Sequence, residues 1–153
     1  RVVRGNKQQP LRQQGMTYDI TTTNVELDND VVTGTLVIHS RIVNVLFDSG
    51  STHSFISCKF SRTIQKPPQN LEDMLSVRIM NGEIIAYMVY KSSLVKFYGL
   101  NLPENLFILS LVKFDAILGK YWLSVYKANI NCLGREITLH ILKHPSILYK
   151  CKE

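Results

Sequence analysis

The sequence has 153 residues, 45% of them hydrophobic, which suits one domain with its own core. Its net charge of +6 sits at the ends: residues 1–15 carry +4, residues 143–153 carry +2, and residues 16–142 set 11 basic against 11 acidic side chains. A neutral middle lacks the footprint of a nucleic-acid surface, and without an apolar run of about 20 residues or a signal segment nothing points to membrane spanning or export.

In chain order, residues 1–15 hold Arg1, Arg4, Lys7 and Arg12 among glutamines, with Pro10 and two glycines and no apolar period, and read as a basic disordered linker. A linker implies a neighbouring domain. The first residue is not Met, so the chain is expected to be a fragment of a longer one. The β-branched, apolar runs Val31–Ile38 and Ile42–Phe47, separated by His39-Ser40-Arg41, predict a hairpin, with a bulge at Thr33-Gly34-Thr35. Ser54–Ile64 places apolar residues at Phe55, Ile56, Phe60 and Ile64 and predicts a short helix or an irregular segment, ended by Pro67 and Pro68.

Leu75, Val77 and Ile79 alternate with polar residues, and after Asn81-Gly82 the run Ile84–Tyr90 resumes. Asn-Gly between two such runs predicts a type I′ hairpin, either a mobile cover over a site or a plain structural hairpin. Further strands are predicted at Leu94–Tyr98, Leu106–Val112 and Phe114–Leu118. Gly119 then turns the chain into a short helix with Trp122 and Tyr126 one turn apart. Ala128–Cys132 and Glu136–Ile141 flank a last turn at Leu133-Gly134-Arg135. Seven or more short strands with little helix predict an all-β barrel or closed sheet.

Cys58, Cys132 and Cys151 are odd in number and widely spaced, which argues against a disulfide framework and suits a reducing compartment. Cys132, His140, His144 and Cys151 have the wrong loop lengths for a zinc knuckle or finger, so no metal is expected. The stretch Leu46-Phe47-Asp48-Ser49-Gly50-Ser51-Thr52-His53-Ser54 runs an apolar strand into a single acid in a turn of small residues. Such a turn exposes carboxylate oxygens for catalysis, although Asp, Ser and Gly also gather in any tight turn. A serine hydrolase is not indicated, because no Gly-x-Ser-x-Gly elbow is present. His53 reads as a packed or surface histidine, Trp122 as core, and Tyr87 and Tyr90 as either hairpin packing or dimer contact.

Two separated segments carry a family likeness. Val45–Ser57 (Val-Leu-Phe-Asp-Ser-Gly-Ser-Thr-His-Ser-Phe-Ile-Ser) and Phe114–Leu123 (Phe-Asp-Ala-Ile-Leu-Gly-Lys-Tyr-Trp-Leu) closely resemble the retropepsin-like aspartic protease of plant gypsy-type LTR retrotransposon Gag-Pol polyproteins. A looser likeness runs from Val31-Val32-Thr33-Gly34-Thr35-Leu36 to Cys132-Leu133-Gly134-Arg135-Glu136-Ile137-Thr138. The resemblance implies a closed acid-protease barrel, one lobe per chain, with a short C-terminal helix and disordered tails. It implies a basic linker at 1–15, a protease domain at 16–142 and a connector at 143–153. Asp48 would be the catalytic carboxylate, Ser49 the hydroxyl joining two active-site loops, and Gly50 the residue completing the loop. Met80, Asn81 and Gly82 resemble the tip of a substrate-binding flap, and Thr52, Ile117, Leu118 and Gly119 look like structural support.

The resemblance further implies an aspartic endopeptidase, without cofactor, that processes its own polyprotein between nucleocapsid-like and reverse transcriptase domains. Its setting would be intracellular, in the cytoplasm or a particle, with no membrane. Aspartic proteolysis needs two carboxylates about 3 Å apart sharing one proton. Asp19, Asp28, Asp30, Asp73 and Asp115 are not followed by Ser-Gly or Thr-Gly, so one chain supplies one such turn and a homodimer is expected. Relatives usually show Met-Asp-Trp-Leu after the glycine, whereas this chain has Lys120-Tyr121-Trp122-Leu123. Losing that acid removes a favourable partner for the helix N-terminus. The alternative is therefore a catalytically inactive retropepsin-like dimerisation or peptide-binding module, a decayed copy. A nucleic-acid-binding fragment driven by the basic tails stands behind both.

Overall fold

The computed structural model describes residues 31–79 and 82–150. The linker expected at 1–15 lies outside the described residues, as do Met80 and Asn81, expected at the flap tip. Strands β1 (Val31–Ile38) and β2 (Arg41–Asp48) pair antiparallel in one unbroken register, from Val31 opposite Asp48 to Ile38 opposite Arg41. Their two-residue connection, His39 and Ser40, takes φ of 52° and 64°, as a type I′ turn requires. The bulge expected at Gly34 is absent, because Gly34 simply pairs with Val45. Its missing side chain has another use: a Cβ there would overlap the ring and hydroxyl of Tyr149.

Ser54–Ser57 is strand β3, followed by the single-turn helix α1 (Cys58–Ser61). The strand forms where a helix or irregular segment is expected because all four residues are buried and pair with other strands. The Ser57 hydroxyl then caps α1 by accepting the Phe60 N–H at 2.9 Å. Strands β4 (Gln69–Ile79) and β5 (Gly82–Phe97) make the expected hairpin, with Ile79 opposite Gly82. Gly82 therefore opens β5 instead of serving as the second turn residue, and its φ of +145° is one that L side chains rarely adopt.

The runs expected as separate strands at Ile84–Tyr90 and Leu94–Tyr98 are one strand. A register shift between Tyr90 and Ser93, with Ser92 at φ 51°, joins them. Tyr98 (φ 49°) and Gly99 (φ 84°) turn the chain into β6 (Leu100–Leu109), which begins earlier than expected. Pro103 is accommodated because only Leu106–Leu109 pairs on the second side of the strand, with β3. Then follow β7 (Ala116–Leu118), α2 (Lys120–Val125), β8 (Asn129–Asn131), β9 (Glu136–Leu139) and β10 (Ile147–Lys150). Strand β10 falls in the stretch expected as a connector, so residues 147–150 are part of the folded body.

The main sheet has the order β1-β2-β7-β3-β6-β5-β4, and a further pairing of β1 with β5, through Val37–Lys96 and Ile38–Val95, closes it on itself. Strands β10, β9 and β8 form a second, three-stranded sheet. The all-β closed architecture expected from the sequence is the one observed.

Alternation along the central strands divides the core in two. Val45, Phe47, Ile56, Ala116 and Leu118 join the larger cluster with Phe97, Trp122 and Tyr149. Leu46, Phe55 and Ile117 face the other way, onto Val77 and Ala86 of the β4–β5 hairpin. Each fully buried side chain of this size contributes about 1.5–3 kcal/mol. The hairpin is thus held against the sheet face to which Leu46 and, by the same alternation, Asp48 belong.

Candidate active site

Asp48 is the last paired residue of β2 and is 3% exposed, while Ser49 and Gly50 beside it are exposed. The Gly50 N–H donates to Asp48 Oδ1 at 2.8 Å, and the Ser51 N–H donates to the Asp48 carbonyl at 3.1 Å. The turn therefore wraps its own acid and fixes one carboxylate oxygen as an acceptor. Ser51 is fully buried and donates its hydroxyl proton to the His53 carbonyl at 2.7 Å, holding the turn from inside.

Strand β7 runs between the two ends of this turn. It pairs parallel with β2, Leu46 opposite Ile117 and Phe47 opposite Leu118, and antiparallel with β3, Phe55 opposite Ile117. Where β7 passes into α2, three successive backbone N–H groups reach back to the turn. Gly119 donates to Ser54 Oγ at 2.9 Å, Lys120 to the Ser51 carbonyl at 2.5 Å, and Tyr121 to the Thr52 carbonyl at 3.4 Å. These are donors that a helix start otherwise leaves unmet, so the Asp48 turn serves as the cap of α2. Gly119 is required by this approach: a Cβ would lie 2.6 Å from the Ser51 carbonyl oxygen and still closer to that of His53.

The surrounding polar groups are ordered by burial. Ser54 Oγ, 1% exposed as a residue, donates to Glu104 Oε2 at 2.6 Å, and the Asn105 N–H donates to Glu104 Oε1 at 3.0 Å. Burial pushes the Glu104 carboxyl above its ordinary value, against these two hydrogen bonds. Thr52 Oγ1 lies 3.0 Å from His53 Nδ1, and the His53 ring stands edge-on to Phe107 and Tyr121. Burial lowers the His53 pKa, which favours the neutral ring.

The structure thus gathers Asp48, Ser49, Gly50, Thr52, Ile117, Leu118 and Gly119 around one turn, with Gly82 at the end of the hairpin over the same sheet face. Ser54 and Tyr121 stand inside the motifs read from the sequence, without the supporting bonds they make here, whereas Glu104 was missed, because it joins from 50 residues away with no local signal.

A closed barrel with one acid held at a strand end now meets an independent comparison: the family model described as retroviral aspartyl protease matches residues 12–144. The chain belongs to the retroviral aspartyl protease family. The protease domain is similar in fold to the retroviral protease-like domain of Ddi1 from Leishmania major, with a TM-score of 0.57 at 14% identity, over 78% of this chain and 94% of that one. It is also similar to EIAV protease complexed with the inhibitor HBY-793, with a TM-score of 0.53 at 16% identity, over 65% of this chain and 90% of that one. At these identities the likeness is one of fold. No curated protein sequence matches the chain. Among the described residues of this aspartyl protease domain, no helix is long and apolar enough to cross a membrane.

Proposed function

We propose that the domain is an aspartic endopeptidase that processes its own retrotransposon polyprotein as a homodimer, each chain lending one Asp48 to a shared water. The observation that carries this reading is the Asp48-Ser49-Gly50 turn. It is the one Asp-Ser-Gly or Asp-Thr-Gly in the sequence, and it stands at the end of β2 in a member of an aspartyl protease family. In a dimer, one carboxylate activates water while its protonated partner donates to the peptide carbonyl, and activity falls once both are ionised. Ser49 would bond across the two-fold axis, and Met80, Asn81 and Gly82 would form the tip of the flap over a bound peptide. Thr52, Ile117, Leu118 and Gly119 would hold the turn in place.

The plant gypsy-type resemblance supports a Gag-Pol origin, with nucleocapsid-like and reverse transcriptase domains as neighbours and an intracellular, particle-associated setting. The basic residues 1–15 would be the upstream linker, and residues 143–153, with β10 inside them, the connector to the downstream domain.

Two observations favour the alternative, an inactive dimerisation or peptide-binding module. Asp48 is 3% exposed in the single chain, so a partner copy reaches it only past the exposed Ser49–Gly50 tip, and α2 carries no acid in its first turn. Sedimentation at several concentrations, run alongside cleavage of a peptide library at mildly acidic pH, separates the two. The expected result is a dimer whose cleavage is blocked by a pepstatin-type inhibitor and lowered about 10³-fold or more by Asp48→Asn. A verified dimer without cleavage establishes the binding module instead.

A further inference from the structure

Glu104 belongs to β6, far in sequence from the Asp48 turn, yet it sits at the end of a hydrogen-bond chain that begins inside that turn's support. The Gly119 N–H donates to Ser54 Oγ, so this oxygen acts there as an acceptor. Its own proton needs another acceptor, and Glu104 Oε2 provides one at 2.6 Å. The second carboxylate oxygen is taken by the Asn105 N–H. Both carboxyl oxygens of Glu104 are thus engaged, one by Ser54 and one by the Asn105 backbone.

No basic side chain pairs with Glu104 among the described residues. The fold therefore keeps a partly desolvated acid where an apolar residue would pack without that cost. The local benefit is orientation. A hydroxyl rotor at Ser54 has several directions available, and the one aimed at Glu104 keeps its proton away from the Gly119 N–H and leaves a lone pair for it. Gly119 is also the point where α2 leaves β7, and the two N–H groups that follow it hold Ser51 and Thr52.

We propose that Glu104 is the positioning residue of the Asp48 turn, fixing the Ser54 hydroxyl so that it receives the Gly119 N–H and ties β6 and α2 to the turn. Glu104 touches neither substrate nor reacting atoms in this role. Its kinetic consequence rests on the protease reading; its structural consequence does not. The carboxylate reaches the start of α2 through Ser54, which supplies from β6 an acid that the first turn of the helix lacks.

The test compares Ser54→Ala, Glu104→Ala and Glu104→Gln by amide hydrogen exchange at Gly119 and by steady-state cleavage of a peptide substrate. The two alanine variants should speed Gly119 exchange about tenfold or more and lower kcat by a similar factor, with KM changed less than about twofold. Glu104→Gln keeps an oxygen that accepts the Ser54 proton, so it should restore most of both losses. A Gln variant as impaired as the Ala variant, or unchanged Gly119 exchange in both alanine variants, overturns the proposal. If the wild-type chain cleaves nothing, the protease reading fails on its own and the exchange pattern still decides the role of Glu104. If Glu104→Ala does not fold, the contrast between Ser54→Ala and Glu104→Gln carries the decision.

Discussion

His53 shows how one side chain beside the turn couples acidity to stability. Its ring is packed against Phe107 and Tyr121, and burial lowers its pKa from the ordinary 6.5. The unfolded chain then binds a proton more readily than the folded one, so the contribution is full above pH about 6.5 and is lost as pH falls through the folded value. His39, also shifted down by burial and by Lys66, acts with the same sign. Glu104, shifted up, acts oppositely: its cost is relieved as pH falls through its folded value. Urea unfolding at pH 7 and pH 5 should show lower stability at the acidic value, and His53→Gln should flatten that slope while His39 keeps part of it. An equal slope in the variant would show that His53 protonation is not what the fold resists. The same pH range is where a shared-proton carboxylate pair works, so the proposed chemistry and the packing of this ring pull in opposite directions.

At the scale of elements, β10 is the piece whose removal tells most. Tyr149 is 9% exposed, sits among Phe47, Phe97 and Tyr98, and its hydroxyl both accepts from the Thr35 N–H and donates to the Thr35 carbonyl, each at 2.8 Å. A chain ending at residue 142 should lose about 3–5 kcal/mol of unfolding free energy, the usual cost of deleting a buried aromatic, measurable by urea denaturation. Stability equal to the full chain would show that β10 only decorates the barrel. Sequence reasoning found β1, β2 and the β4–β5 hairpin because each is a local pattern: β-branched runs, alternation and a two-residue turn. The Asp48 turn was equally readable, since its chemistry lies within nine contiguous residues. What escaped depends on distant partners. Strand β3 exists because β6 and β7 bracket it, Gly34 reads as a bulge until Tyr149 fills its space from the other end of the chain, and Glu104 gives no sign of Ser54.

For the whole molecule, the question is whether one barrel is enough. The one Asp-Ser-Gly turn per chain makes the proposed active unit a pair, and its activity should obey the statistics of pairing. Adding an equal amount of Asp48→Asn to a fixed amount of wild type, well above the dissociation constant, should cut cleavage to roughly half as mixed dimers form. Unchanged activity would mean that single chains act alone. The charge layout fits such a body: a neutral middle between basic ends has little net repulsion to oppose self-association. The Tyr149 bond to β1 adds a constraint on maturation. Any downstream scissile bond used to free this unit from a longer precursor has to lie beyond Lys150, because a cut between residues 142 and 147 would sever the barrel from its own plug.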